Sequence, residues 1–182
     1  RGQTGQDLAA SLRVDAVDMH GCSSTVSDVN EMPRSATSDR PGMTQALIPG
    51  QPVSASVCRY QAGWLEQGAM LSGTRLHAFA ATLNGLPVGL SRATGLGPTP
   101  CREQGSVGSL DGELAGDSEA YRIEVRYPAG SPVVLVGRLG HCGDLGISNG
   151  ARTGQRTEAL ATLLARTVGE TQGWPPSVVP AP

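Results

Sequence analysis

Two hydrophobic periods alternate along the chain and predict its strands and helices. A period of two, typical of a strand with one buried face, is clearest in YRIEVRY (121–127). The positions predicted to face the core are Tyr121, Ile123, Val125 and Tyr127, and the outward positions are Arg122, Glu124 and Arg126. The pattern also predicts a strand in 52–60, a hairpin partner in 64–71, a central strand in PVVLVGRL (132–139) and a short return strand in 142–148.

A helical period appears in two places. In GTRLHAFAATLNGLP (73–87) the apolar stripe consists of Leu76, Phe79, Ala80 and Leu83, with Ser72 as the expected N-cap and Asn84-Gly85 as the end. In TGQRTEALATLLARTVG (153–169) the stripe consists of Leu160, Leu163, Leu164 and Val168, and Gly169 ends the helix. Each stripe is confined to one side, so each helix is expected to cover a sheet.

This order of elements predicts an α+β fold. We expect a two-layer sandwich in which a mainly antiparallel sheet carries both helices on one face. The domain is predicted to span 47–172, preceded by an irregular N-terminal segment, 1–46, and followed by a Pro-rich tail, 173–182.

Composition narrows the class of protein. The chain has 182 residues, 38% hydrophobic and 3% aromatic, so its core must be mainly aliphatic. The net charge is −2, with no block of like charge, so we expect no nucleic-acid partner. No run approaches the roughly 20 apolar residues of a membrane span, so no transmembrane segment is expected. All 14 basic residues are Arg, which is typical of a GC-rich bacterial genome.

Four cysteines carry the strongest chemical signal: Cys22, Cys58, Cys101 and Cys142. Their number is even, they are widely spaced and no CxxC pair occurs, so we interpret them as two disulfides formed in an oxidising compartment. Three connectivities are possible. We favour Cys22–Cys58 with Cys101–Cys142, because each pair joins neighbours in sequence and the second would anchor the long loop 88–119.

The stretch HCGD (141–144) raises two alternatives to a disulfide. A nucleophilic Cys142 would need a base within reach, but His141 is adjacent, and adjacent side chains of an extended segment point to opposite faces. A metal site would have at most His141, Cys142 and Asp144, without the usual spacing. We therefore assign no catalytic residue, no metal ligand and no cofactor.

An ordered set of segments resembles a known group of proteins. The segments are LIPGQPVSASVCRYQ (47–61), LNGLP (83–87), the isolated Cys101, YRIEVRYPAG (121–130) and HCGDLGISNG (141–150). They resemble uncharacterised exported proteins of actinomycetes with the pattern P…CRY…LN.LP…C…Y…C..V.NG. The chain departs from them at Ala129-Gly130, where Asp-Gly is usual, and in its longer acidic loop before Tyr121. The resemblance implies an extracytoplasmic location, secreted or anchored at the cell surface, and no recognised catalytic machinery. A cleaved signal, a trimmed anchor or a cut at a domain edge would each give a chain starting at Arg1.

Two functions follow. The favoured one is a non-catalytic binding module at the bacterial cell surface, whose partner is an unknown protein or cell-wall component. Its expected surface is the sheet face opposite the helices, with Arg122, Glu124 and Arg126, and Trp64 as a possible interface anchor. The alternative is a small extracytoplasmic hydrolase with its site near the acidic loop 103–119 and His141.

Overall fold

Seven strands and two helices form the regular structure of the part of the chain that can be described. The computed structural model describes residues 17–26, 32–61, 63–89, 91–92, 119–139 and 144–169. Within them lie β1 (Ser54–Gln61), β2 (Trp64–Ser72), α1 (Gly73–Asn84), β3 (Ser91–Arg92), β4 (Glu119–Arg126), β5 (Val133–Arg138), β6 (Asp144–Ser148), β7 (Thr153–Gln155) and α2 (Glu158–Val168).

The strands form one antiparallel sheet. The order across it is β2-β1-β4-β5-β6-β3, and β7 pairs with β6. β1 is paired over its whole length with both β2 and β4. These three strands form the longest continuously paired part of the sheet. The α+β class is therefore confirmed. Neither helix has the length and apolar character needed to cross a membrane.

The main core lies between the helices and one face of the sheet. The sheet contributes Ala55, Val57, Ile123, Val125 and Leu135, each with no exposed surface. The helices contribute the side chains that the sequence pattern predicted: Leu76, Phe79, Ala80 and Leu83 from α1, and Leu160, Leu164 and Val168 from α2. Leu163 packs at the edge of the same cluster. Both helices thus cover the same face, as expected for a two-layer sandwich.

The second helix begins later than its pattern suggested. Thr153–Gln155 form β7, and Thr157 is the N-cap, whose side chain accepts a hydrogen bond from the Leu160 N–H at 3.1 Å. Gly154 explains the extended start, because a Cβ there would lie 3.0 Å from Leu47 and 3.1 Å from Leu86. Because Gly154 packs this closely against the core, Thr153–Gln155 form a strand and the helix begins only at Glu158.

An irregular segment, residues 32–50, packs along the rest of the domain. Met43, Leu47 and Ile48 belong to the main core cluster. Two asparagines hold this segment from the inside. The Asn84 side chain donates to the carbonyl of Ile48 and accepts from its N–H, both at 2.9 Å. Asn149, fully buried, donates to three carbonyls, those of Met43, Ala46 and Leu47.

Candidate binding surface

The sheet face opposite the helices is the surface that we predicted from the sequence to bind a partner. We call it the outer face. The strand register arranges its residues in rows. One row runs Ser72, Ser54, Arg126; the next runs Met70, Ser56, Glu124, Val134; and the third runs Gly68, Cys58, Arg122, Val136. The register thus places the three predicted charged residues side by side on the outer face, while Ile123 and Val125 between them point into the core.

A disulfide ties the segment 17–26 to this face. Cys22 and Cys58 are bonded with an S–S distance of 2.05 Å, so the favoured pairing of these two cysteines is confirmed. Tyr60, also on the outer face, donates from its hydroxyl to the carbonyl of Ser23 at 3.0 Å. Together with Ala120, these side chains form a second, smaller buried cluster.

A glycine on β2 lets the segment approach so closely. A Cβ at Gly68 would lie 2.6 Å from Asp18 Oδ2 and 2.9 Å from Cys22 Sγ, so any side chain there would push the segment away. Asp18 shapes the turn itself, because its Oδ1 accepts from the N–H groups of His20 and Cys22 at 2.9 and 2.8 Å. The outer face is therefore less open than the sequence suggested, since the segment covers the part around Cys58 and Tyr60.

The exposed remainder of the outer face carries a charge ladder. Glu124 lies between two arginines: its Oε1 is 3.0 Å from Arg126 Nη2 and its Oε2 is 3.4 Å from Arg122 Nη1. The Arg126 side chain is 54% exposed and that of Glu124 is 22% exposed. The three groups together hold one net positive charge. Pairs this exposed contribute little to folding stability, so their charges remain available to a partner.

Two exposed methionines lie on or near the outer face. Met70 is 42% exposed and lies in the same row as Glu124, with Ser56 between them. Met19, at 88% exposure, sits in the turn from Asp18 to Gly21, which lies close to the sheet because a Cβ at Gly21 would be 2.9 Å from the Oγ of Ser56. An exposed thioether is flexible and polarisable, and adapts readily to a partner's surface. Neither methionine could be predicted from the hydrophobic pattern, because a single apolar residue in a turn or beside a glycine carries no period.

Trp64 lies away from this patch. It begins β2 opposite Gln61, whereas Arg126 pairs with Ser54 at the other end of β1, seven residues or about 23 Å along the strand. Its side chain is 66% exposed, so it does not fill the hairpin core. The structure therefore brings Arg122, Glu124 and Arg126 together but leaves Trp64 as a separate exposed aromatic.

Two tyrosines have shifted acidities. Burial raises the pKa of Tyr127 to about 12, and the Arg40 guanidinium, 3.6 Å from the ring centroid, partly opposes this rise. Burial likewise raises the pKa of Tyr60, with Arg122 acting in the opposite direction. Arg40 also donates to the carbonyls of Ala129 and Ser131, so it fastens the β4–β5 turn. Both shifts follow mainly from burial, and the carboxylate of Asp18 adds to the rise at Tyr60.

The alternative hydrolase site consists of His141 and the loop 103–119, and of these only Glu119 lies within the described residues. Cys101 and Cys142 also lie outside the described residues, so their pairing stays a prediction. Among the described residues, no group of three or more His, Cys, Asp or Glu side chains is placed to hold a metal ion. His77 is exposed on α1, and His20 belongs to the turn fixed by Asp18.

Comparison with known proteins assigns no class to this fold. No protein-family model, curated protein sequence or solved structure matches the chain.

Proposed function

We propose that this chain is a non-catalytic, exported module at the bacterial cell surface that binds a protein or cell-wall component through the exposed part of its outer face. We define the binding patch as Met19, Met70, Arg122, Glu124 and Arg126. The observation that carries the proposal is that Glu124, which pairs with both arginines, lies in the same cross-strand row as the exposed Met70, two strands away. Arginine beside adaptable apolar side chains is a composition enriched at protein interfaces.

Four side chains of types that often take part in catalysis are used here to hold the fold, which supports a binding role over a catalytic one. Cys58 is in a disulfide, and Tyr60 donates to a backbone carbonyl. Asn84 and Asn149 bond backbone groups of the segment 32–50. A nucleophile or general base needs a free lone pair or thiolate facing a cleft. Each of these four groups is instead engaged in holding the fold.

The disulfide supports the proposed location. A disulfide persists in an oxidising compartment and is rare in a reducing cytosol. Together with the resemblance to exported proteins, the Cys22–Cys58 bond favours an extracytoplasmic site of action. Fractionation of the producing cells tests this directly: we expect the protein in the envelope or culture medium with Cys22 and Cys58 oxidised. Recovery of the reduced protein from the cytosol would contradict the proposal.

Site-specific crosslinking tests the patch. A photoreactive amino acid is placed at position 70, and in a matched variant at position 81, which is exposed on α1 on the opposite side of the sheet. On intact cells we expect a discrete adduct from position 70 that excess unlabelled protein competes away. The Arg122→Ala/Arg126→Ala variant should lose that adduct. Equal adducts from both positions, or none from position 70, would refute the proposed surface.

A further inference from the structure

A groove between the two helices forms a second candidate site, separate from the binding patch. It is a shallow depression, largely open to solvent, of about 320 Å³ between one stripe of α1 and one of α2, next to Leu71 of β2. Its principal lining residues are Arg75, Phe79, Thr82, Thr162, Leu163 and Arg166. The volume lies near the lower end of the roughly 300–1,000 Å³ typical of small-molecule sites.

The charged side chains among the residues that line the groove are both positive. Arg75 and Arg166 are both exposed, and no acidic residue lines the groove. Neither guanidinium forms an ion pair or hydrogen bond with any residue that the structure describes. Arg122 and Arg126 on the outer face, in contrast, share Glu124. Within the described part of the chain no acidic group neutralises these two positive charges, which favour an anionic occupant.

The hydrogen-bonding groups in the groove also favour an anionic ligand. Thr82 donates its hydroxyl hydrogen to the carbonyl of Ala78 at 3.0 Å, and Thr167 donates to that of Leu163 at 2.7 Å. Because these two hydrogens are used within the helices, the donors left for a ligand are the hydroxyl of Thr162 and the guanidinium N–H groups. A guanidinium matches the geometry of a carboxylate, to which it donates two parallel hydrogen bonds.

The floor of the groove is apolar. Phe79 and Leu71 are buried beneath it, at 2% and 3% exposure, and the apolar surface that a ligand could cover comes from Ala78 and Leu163. The stripe from Arg75 to Thr82 extends along α1 for about 10 Å. A ligand that fills this space must therefore present an apolar body to Leu163 and an anionic group to an arginine.

We propose that the groove binds a small amphipathic carboxylate, a medium-chain fatty acid or a close analogue. Its alkyl chain would lie on Ala78 and Leu163, and its carboxylate would pair with Arg75 or Arg166. This site is on the helix side of the domain, so the proposal does not depend on the binding patch.

Calorimetric titration with octanoate tests the proposal. We expect saturable binding at one site, with octanol and acetate at least about tenfold weaker, because octanol lacks the charge and acetate lacks the chain. Arg75→Ala/Arg166→Ala should weaken octanoate binding by about tenfold or more. Arg34→Ala, which removes an exposed arginine outside the groove, should leave it unchanged. Both arginines are exposed, and thermal melts of each variant will confirm that it is folded.

Three results would overturn the proposal. Equal affinity for octanol would indicate apolar adsorption without carboxylate recognition. Unchanged octanoate binding by Arg75→Ala/Arg166→Ala would place the ligand elsewhere. The absence of saturable octanoate binding at low millimolar concentrations would exclude the site. Amide shifts in ¹⁵N NMR, expected for Ala78 and Leu163 and not for Arg126, separate this groove from the binding patch.

Discussion

Asn149 is the buried polar side chain with the most bonds, and its removal offers the sharpest test of how the fold is held. It donates from Nδ2 to the carbonyls of Met43, Ala46 and Leu47 at 3.0–3.1 Å. Its Oδ1 accepts from the N–H groups of Ala151 and Arg152 at 2.9 and 2.8 Å. One amide thus ties the end of β6 to the start of the domain and shapes the turn that leads into β7.

The expected cost of Asn149→Ala follows from these contacts. An amide has two hydrogens, so at most two of the three carbonyls receive a full bond at once, and with the two accepted bonds this makes four. At a net contribution of about 1 kcal/mol for each bond, the loss is about 4 kcal/mol. Water reaching the half-buried N–H groups of Ala151 and Arg152 would reduce it to about 3 kcal/mol.

Urea denaturation followed by circular dichroism measures this loss. Asn84→Ala is the matched control, because Asn84 holds the same segment through two bonds to Ile48 and should cost about 2 kcal/mol. The free energy of unfolding lost in the double variant should be smaller than the sum of the two single losses. Once the segment 32–50 is released at one asparagine, the bonds of the other asparagine stabilise it less. A loss below about 1 kcal/mol for Asn149→Ala, or one no larger than that of Asn84→Ala, would refute the reasoning.

Three further predictions concern the sheet. Cys22→Ala/Cys58→Ala opens a link between residues 36 apart, which the loop-entropy relation values at about 4 kcal/mol; an unchanged urea midpoint would contradict this. Ile123→Asp should destabilise the domain by several kcal/mol because it buries an unpaired carboxylate, whereas Arg126→Ala should change stability by about 0.5 kcal/mol or less; equal melting temperatures would show that the faces are misassigned. The Tyr127 pKa, raised from 10.0 to about 12, means that the unfolded chain ionises first, so stability should fall as the pH rises from about 10 to 12; Tyr127→Phe should reduce that slope, and an identical pH profile would exclude this cause.

The sequence predicted those elements whose side chains repeat with a regular period. All four apolar positions assigned to α1 are buried, and the alternation in YRIEVRY separates the core from the outer face correctly. The short strands β3 and β7 have two and three residues, too few to show a period. Their places in the sheet depend on pairing with β6, which no local pattern reports.

The candidate site could be predicted only in part. The charges of Arg122, Glu124 and Arg126 were placed on the right face, because alternation along one strand fixes direction. The coverage of that face by the segment 17–26 depends on the Cys22–Cys58 bond and on the absence of a side chain at Gly68. Both are long-range properties. The groove between the helices was missed for the same reason, since it requires the relative placement of two distant helices.

Several residues of the segments quoted above make contacts that hold the fold. Cys58 anchors the segment 17–26, and Asn84 and Asn149 bond the backbone of 43–48. Cys58 lies in the same row as Arg122 of the binding patch but is itself buried in the disulfide, and neither asparagine lines the groove.

Four of the residues that should decide what is bound lie outside the quoted segments. Met19 and Met70 belong to the patch, and Arg75 and Arg166 to the groove; none of them falls on a position that the pattern defines. Their side chains are exposed, so they can change with little effect on stability. A stable disulfide-linked sheet with replaceable side chains on both sides suits a binding module, because specificity can change while the core stays the same.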